Sequence, residues 1–143
     1  MGEHEYNVLD CGYTLKETKE YLCSVIKEKY TEEQIRQIFK ALKLAFCAHE
    51  GQLRCNGEPY IIHPMRVALM LLKFDRDTIS KVFIGALLHD TVEKADIGLA
   101  EIEEKFGGYV AELVRSVTRE HEEKQSPQEK TEAKYQNWLK VIS

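Results

Sequence analysis

The sequence predicts an all-α fold, and three observations support that prediction. Apolar residues recur at intervals of three and four along most of the chain, which is the spacing of amphipathic helices. Two capping-box patterns, Thr31–Gln34 and Ser126–Glu129, mark helix starts. No segment alternates apolar and polar residues as a half-buried strand would. We therefore expect a compact helical bundle.

The composition fits one soluble domain. The chain has 143 residues, of which 43% are hydrophobic and 31% are charged, and this suffices for one buried core. No apolar run approaches the ~20 residues of a membrane span, and the N-terminus lacks a signal-peptide pattern. We expect a cytoplasmic protein that does not bind membranes. A net charge of −4 argues against a nucleic-acid polymer as partner but allows a basic pocket for one nucleotide. The oligomeric state is not indicated.

Residues 1–13 show little periodicity, so we expect a flexible N-terminal arm ahead of a domain at 14–143. Within that domain, helical spacing, capping patterns and turn residues define seven segments. The predicted helices are Thr14 to about Glu28, Thr31 to about His49 or Gly51, Pro64 to Leu72, Ile79 to His89, Ala100 to Phe106, Tyr109 to about Thr118, and Ser126 to Ile142.

Turn-forming residues separate these helices. Residues 52–60 are polar and contain Gly57 and Pro59, which indicates a loop rather than a strand. Gly107 is expected to end the Ala100 helix as a C-cap. The helix that begins near Pro64 is apolar on nearly all sides, so we expect it to be buried.

Ligand-type side chains follow the apolar run at 86–88. His89 and Asp90 diverge by about 100° on a helix, but at a helix end both can reach one ion. Glu93 lies on their side of the helix, where its carboxylate can act on whatever the ion binds. A lone His-Asp pair is also common where a helix runs into solvent. The stronger signal is this segment together with His63, which precedes a second apolar helix.

Four motifs, in order and with matching spacing, carry a resemblance to a known family. The motifs are Ala48–Arg54, Gly57–Pro64, Leu87–Glu93, and Phe106-Gly107 ahead of Leu113–Thr118. The chain resembles the HD-domain (p)ppGpp hydrolases of the Rel/SpoT type and their short stand-alone relatives, from about residue 33 to 118. The resemblance implies an HD-domain helical bundle with a divalent ion, usually Mn²⁺. It also implies a guanine nucleotide substrate, ppGpp or pppGpp, which loses pyrophosphate from its 3′ position.

The resemblance also implies roles for single positions. The metal ligands of the family match His63, His89 and Asp90. Arg54 matches the position whose guanidinium packs on guanine, as a planar cation can, and Glu93 matches a carboxylate that orients or activates water. The family's last metal aspartate belongs to a segment beyond position 143, so we expect the domain at 14–143 to stop before it.

Two positions depart from the family pattern. The usual Glu-Asp pair is here Glu93-Lys94, which puts an ammonium group beside the reaction centre. Lys94 can reduce hydrolysis, because a charged ammonium cannot accept a proton from water, or it can bind a substrate phosphate or pair with Asp90. Cys55 replaces a lysine of many relatives. Asp96 is a weaker candidate for a replacement carboxylate.

Three residues near these motifs have structural interpretations. His49 is expected to pack in the interior or to support a metal ligand, Glu58 to order its loop by hydrogen bonding, and Tyr60 to pack in or beside the core. Three functions stay open: a (p)ppGpp pyrophosphohydrolase, a nucleotide-binding regulatory module with impaired hydrolysis, and an HD hydrolase of another phosphorylated nucleotide.

Overall fold

The computed structural model describes residues 13–74, 79–95 and 97–117, with all their side chains except those of Phe74 and Lys94. Within these ranges the chain forms six helices and no strand, apart from one isolated bridge between Leu53 and Pro59. The helices are α1 (Leu15–Lys29), α2 (Glu32–Ala48), α3 (Ile62–Phe74), α4 (Ser80–Lys94), α5 (Leu99–Phe106) and α6 (Gly108–Val117). The all-α prediction is confirmed.

Capping boxes begin the first two helices. The Thr31 hydroxyl accepts from the backbone N–H of Gln34 at 3.2 Å, and the Gln34 side chain accepts from the Thr31 backbone N–H at 3.0 Å. Thr14 and Glu17 make the same reciprocal pair at the start of α1. Each box satisfies amide groups that have no partner inside the helix. The predicted start at Thr31 is confirmed, and α2 ends with His49 as its C-cap.

Helices α3 and α4 form the centre of the core. All residues from 61 to 72 are buried, as predicted for the helix near Pro64, and α4 is buried from 82 to 91. Helix α4 packs against α2, α3 and α6, while α1 packs against α3, and α5 against α6. None of the described helices is long and apolar enough to cross a membrane.

The predicted end of the helix that carries His89 is wrong. Helix α4 continues to Lys94, with Ala95 as C-cap, so His89 and Asp90 lie inside the helix rather than at its end. The side chains change from apolar to polar after residue 88, but the helix continues because residues 89–97 contain no Gly or Pro. The polar residue Asp90 is accommodated in this buried helix because it contacts the polar side chains of Tyr60 and His63.

The remaining predicted boundaries agree within a residue where they can be compared, except those of α3, which begins at Ile62 and ends at Phe74, two residues beyond the predicted helix at each end. Helix α5 begins at Leu99, α6 spans Gly108–Val117, and Gly107 at φ 99° is the expected left-handed C-cap. Three predicted segments lie outside the described residues: the N-terminal arm apart from Tyr13, the loop at 119–125, and the helix from Ser126 to Ile142.

Candidate metal centre

Helices α3 and α4 bring together His63, His89 and Asp90, which we call the imidazole–carboxylate cluster. His63 is in the first turn of α3, and the other two are adjacent on α4. The Nε2 atoms of His63 and His89 lie 3.4 and 3.3 Å from Oδ2 of Asp90. All three side chains are almost fully buried. Their ligand-type atoms lie within 4.8 Å of one another.

The backbone of α4 fixes the protonation of His89. Its Nδ1 lies 2.7 Å from the carbonyl oxygen of Ala86. Because a carbonyl can only accept a hydrogen bond, Nδ1 carries the proton and donates it. The lone pair of a neutral imidazole is then on Nε2, the atom that faces Asp90. A hydrogen bond of this kind, from one ring nitrogen to a carbonyl, is how metal-binding histidines are commonly oriented.

The spacing of these atoms fits a divalent ion. Ligand atoms that each lie about 2.0–2.2 Å from one ion are about 3.0–3.5 Å apart, and the two nitrogen–oxygen distances at Asp90 are 3.3 and 3.4 Å. A buried carboxylate with two neutral imidazoles also carries one negative charge that a cation would compensate. Nitrogen and oxygen ligands suit several first-row metals, so the donor set favours none of them.

Tyr60 belongs to this site, although the sequence analysis interpreted it as packing. Its hydroxyl donates to Oδ2 of Asp90 at 2.9 Å. Burial, followed by the charge and hydrogen bond of Asp90, raises the pKa of Tyr60 far above its ordinary range, so it acts as a donor. The contact joins positions that are 30 residues apart. A tyrosine three residues before His63 was the available signal, but its partner could not be read from the sequence.

His49 is buried beside Tyr60 and not in the imidazole–carboxylate cluster. The two rings lie 4.9 Å apart between centroids, and Nδ1 of His49 is 2.9 Å from Oε1 of Gln52. This position agrees with the expectation that His49 packs or supports a ligand.

A second polar group, which we call the arginine cluster, consists of Arg54, Glu58 and Arg66. The Glu58 carboxylate accepts from Nη1 and Nη2 of Arg66 at 3.1 and 2.8 Å, and its Oε1 lies 3.9 Å from Nη1 of Arg54. The Arg54 backbone N–H also donates to the Glu58 carbonyl at 2.8 Å. These contacts agree with the expectation that Glu58 orders its loop. Arg66, a charged residue in the first half of the apolar α3 helix, was missed in the sequence.

The arginine cluster contains more guanidinium groups than carboxylates. Arg66 and Arg54 are 1% and 7% exposed, and two guanidinium groups face one carboxylate. Burial raises the pKa of Glu58, but the hydrogen bond and charge of Arg66 outweigh burial and hold that pKa below its usual value. Glu58 is therefore ionised near neutral pH and acts as a counter-ion to the guanidinium groups that face it.

The other candidate residues lie towards the end of α4. Glu93 is partly buried, one turn after His89 and Asp90. Lys94 is the last residue of α4, and its side chain is outside the described part of the structure, as is Asp96.

Comparison with known families agrees with the helices and with the imidazole–carboxylate cluster. The family model described as HD domain matches residues 41–141, which include all three residues of that cluster. This chain belongs to the HD-domain family.

Relatives of this HD domain include proteins named for guanosine bis(diphosphate). The Escherichia coli protein named bifunctional (p)ppGpp synthase/hydrolase SpoT is 39% identical over 125 residues, which are 86% of this chain and 17% of that protein. The Vibrio cholerae guanosine-3′,5′-bis(diphosphate) 3′-pyrophosphohydrolase is 38% identical over 123 residues, 85% of this chain and 17% of the relative. The Aquifex aeolicus protein of that name is 45% identical over 87 residues, 61% and 12% respectively. The HD domain thus spans less than a fifth of these curated relatives.

Proposed function

We propose that this HD domain is a cytoplasmic hydrolase that uses a divalent ion, Mn²⁺ by preference, to remove pyrophosphate from the 3′ position of ppGpp or pppGpp. The observation that carries the proposal is the buried imidazole–carboxylate cluster, whose ligand-type atoms lie within 4.8 Å of one another. The substrate is proposed because the relatives that cover most of this chain are named for that reaction.

In this proposal His63, His89 and Asp90 hold the ion. When bound, the ion would polarise the phosphate and lower the pKa of a water molecule. The hydrogen bond from Nδ1 of His89 to the Ala86 carbonyl supports this role, because the lone pair that would bind an ion then belongs to Nε2, the atom that faces Asp90. Glu93 lies one turn further along α4 and would orient the attacking water and accept its proton.

The position of the arginine cluster supports the proposal that a nucleotide binds on the side of α3 that carries His63. The cluster contains two guanidinium groups, and Arg54 belongs to the loop that leads into His63. A guanidinium group can stack on a purine and attract phosphate at once. Because Arg54 is 7% exposed in this structure, we propose that its guanidinium becomes accessible when substrate binds and then packs on the guanine, while Glu58 and Arg66 hold its loop in place.

Lys94 favours a second candidate function, a nucleotide-binding regulatory module with impaired hydrolysis. The lysine directly follows Glu93, the proposed water-orienting residue. A positive charge there would stabilise the ionised form of Glu93, which lowers its tendency to accept a proton. It would also compete with a cation for the negative charge of the cluster.

The test is Mn²⁺-dependent release of pyrophosphate from ppGpp, with bound metal quantified, for the unmodified protein, Lys94→Asp, and the control Lys43→Asp. Lys43 is exposed on α2. We expect turnover and bound metal in the unmodified protein and the control, and faster turnover in Lys94→Asp.

Three results would change the conclusion. If neither the unmodified protein nor Lys94→Asp retains metal or turns over ppGpp, the hydrolase proposal is wrong. If both retain metal but only Lys94→Asp is active, the protein is a nucleotide-binding module silenced by Lys94. If the protein hydrolyses another nucleotide of a parallel panel but not ppGpp, it is an HD hydrolase with a different substrate.

A further inference from the structure

We propose that Tyr60 is a positioning residue for the metal ligand Asp90, because its hydroxyl holds the carboxylate in the orientation that faces both imidazoles. This inference rests on the proposed metal site but concerns a residue outside the ligand set.

Three groups converge on one oxygen of Asp90. The Tyr60 hydroxyl donates to Oδ2 at 2.9 Å, and Nε2 of His63 and of His89 lie 3.4 and 3.3 Å from the same atom. A carboxylate oxygen has two lone-pair sites, so Oδ2 can accept the hydroxyl and still bind an ion. The terminal torsion angle of aspartate has a broad distribution, and a directional hydrogen bond restricts that angle. The hydroxyl therefore selects the rotation that presents Oδ2 to the imidazoles.

Tyr60 is itself fixed by several contacts. Its backbone N–H donates to the Gln52 carbonyl at 2.8 Å, and its ring lies 4.9 Å from the His49 ring and 5.6 Å from the His63 ring between centroids. Gln52 in turn contacts Nδ1 of His49 through its side chain. The loop is thus tied at two points to the end of α2, and the hydroxyl is delivered to a defined place beside Asp90.

These contacts distinguish positioning from packing. A ring that only fills space contributes equally as tyrosine or phenylalanine, whereas a positioning hydroxyl acts through the ligand it holds. Outer hydrogen-bond partners of metal ligands typically change metal affinity or activity by about 10–100-fold when removed. The effect should therefore appear in metal affinity and not in the affinity for nucleotide.

The experiment compares Mn²⁺ binding by isothermal titration in the unmodified protein, Tyr60→Phe, and the matched control Tyr109→Phe. Tyr109 is half-exposed on α6 and makes a ring contact with Lys81 that phenylalanine retains. We expect Tyr60→Phe to bind Mn²⁺ about 10-fold more weakly or worse, and the control to bind unchanged. In ppGpp hydrolysis, added Mn²⁺ should restore the kcat of Tyr60→Phe, with KM for ppGpp unchanged throughout.

The outcomes separate this inference from the proposed function. Equal Mn²⁺ affinity in Tyr60→Phe and the unmodified protein would overturn the inference and leave the metal site standing. If the unmodified protein binds no Mn²⁺, the proposed function fails. A crystal structure of metal-free Tyr60→Phe would then test the positioning role of Tyr60 independently of metal binding. A rotated Asp90 carboxylate there would support positioning by Tyr60, and an unmoved one would overturn it.

Discussion

The two polar clusters of this HD domain share one helix but differ in the ionisable groups they contain. His63 and Arg66 are three residues apart on α3, so they lie on one side of it. The imidazole–carboxylate cluster has one carboxylate and two imidazoles, whereas the arginine cluster has two guanidinium groups and one carboxylate. The first therefore offers nitrogen and oxygen ligands for a cation, and the second offers guanidinium groups. This division suits a phosphorylated substrate, which brings negative charge and needs a cation at the bond that breaks.

The clusters also differ in how they are held. The imidazole–carboxylate cluster joins two buried helices, α3 and α4, and Asp90 is fully buried. In the arginine cluster Glu58 belongs to the loop that precedes α3, and its side chain is 17% exposed. A buried charge without a full counter-charge lowers the free energy of unfolding. With neutral imidazoles, the Asp90 carboxylate would therefore destabilise the metal-free protein, and a bound ion would remove that destabilisation. The arginine cluster already has an internal counter-ion.

The largest expected effect comes from Asp90→Asn, which removes the charge of the first cluster while keeping its shape. We expect the protein to lose bound Mn²⁺ and its ppGpp turnover to fall by about a thousandfold, or about 4 kcal/mol of transition-state stabilisation. Metal-free thermal stability should stay equal or increase, because an amide oxygen can still accept from Tyr60 and no buried charge remains. Metal content, turnover and thermal unfolding are measured together.

The matched control for Asp90→Asn is Glu101→Gln, which removes an exposed carboxylate on α5. It should change neither metal content nor turnover. If Asp90→Asn keeps its metal, the ion is not held by this cluster. A large loss of metal-free stability would show instead that the Asp90 charge stabilises the fold, and the contrast between the two clusters would disappear.

An intermediate effect is expected from Glu58→Gln, which removes the counter-ion of the arginine cluster. Breaking a buried ion pair costs about 3–5 kcal/mol. Because Glu58 is partly exposed, we expect about 2 kcal/mol of unfolding free energy at neutral pH. The pKa of Glu58 is lower in the folded state, so its contribution is present above about pH 4.5 and is lost as pH falls through the lowered folded value.

Denaturant unfolding of the metal-free protein from neutral to acidic pH tests this effect. The difference between the unmodified protein and Glu58→Gln should be constant near neutral pH and shrink below about 4.5. The control Glu104→Gln, at an exposed position of α5, should show little difference at any pH. A difference that persists unchanged in acid would mean that Glu58 acts through packing rather than charge.

Patterns local in sequence predicted most of the fold but only part of the site. The capping box at Thr31 and the C-cap at Gly107 need only neighbouring residues, and both were predicted correctly. The two apolar helices suggested that His63 belongs with His89 and Asp90, and the resemblance to a known family added their role as metal ligands. The contact between Tyr60 and Asp90 spans 30 positions, and its hydroxyl gives no local signal. The predicted end of α4 at His89 is wrong because polar side chains do not by themselves end a helix.

The smallest effect is expected from Arg54→Lys, which keeps the charge of the arginine cluster but removes the planar group. Lysine can still approach Glu58 across the present 3.9 Å separation, so thermal stability should hold. It cannot stack on a base as guanidinium does. We expect KM for ppGpp to rise about tenfold, equivalent to about 1.4 kcal/mol, with kcat and Mn²⁺ affinity little changed. Arg115→Lys, at an exposed position of α6, is the control and should leave KM unchanged. An unaltered KM in Arg54→Lys would reduce Arg54 to a loop-ordering partner of Glu58, and base recognition would have to come from other residues.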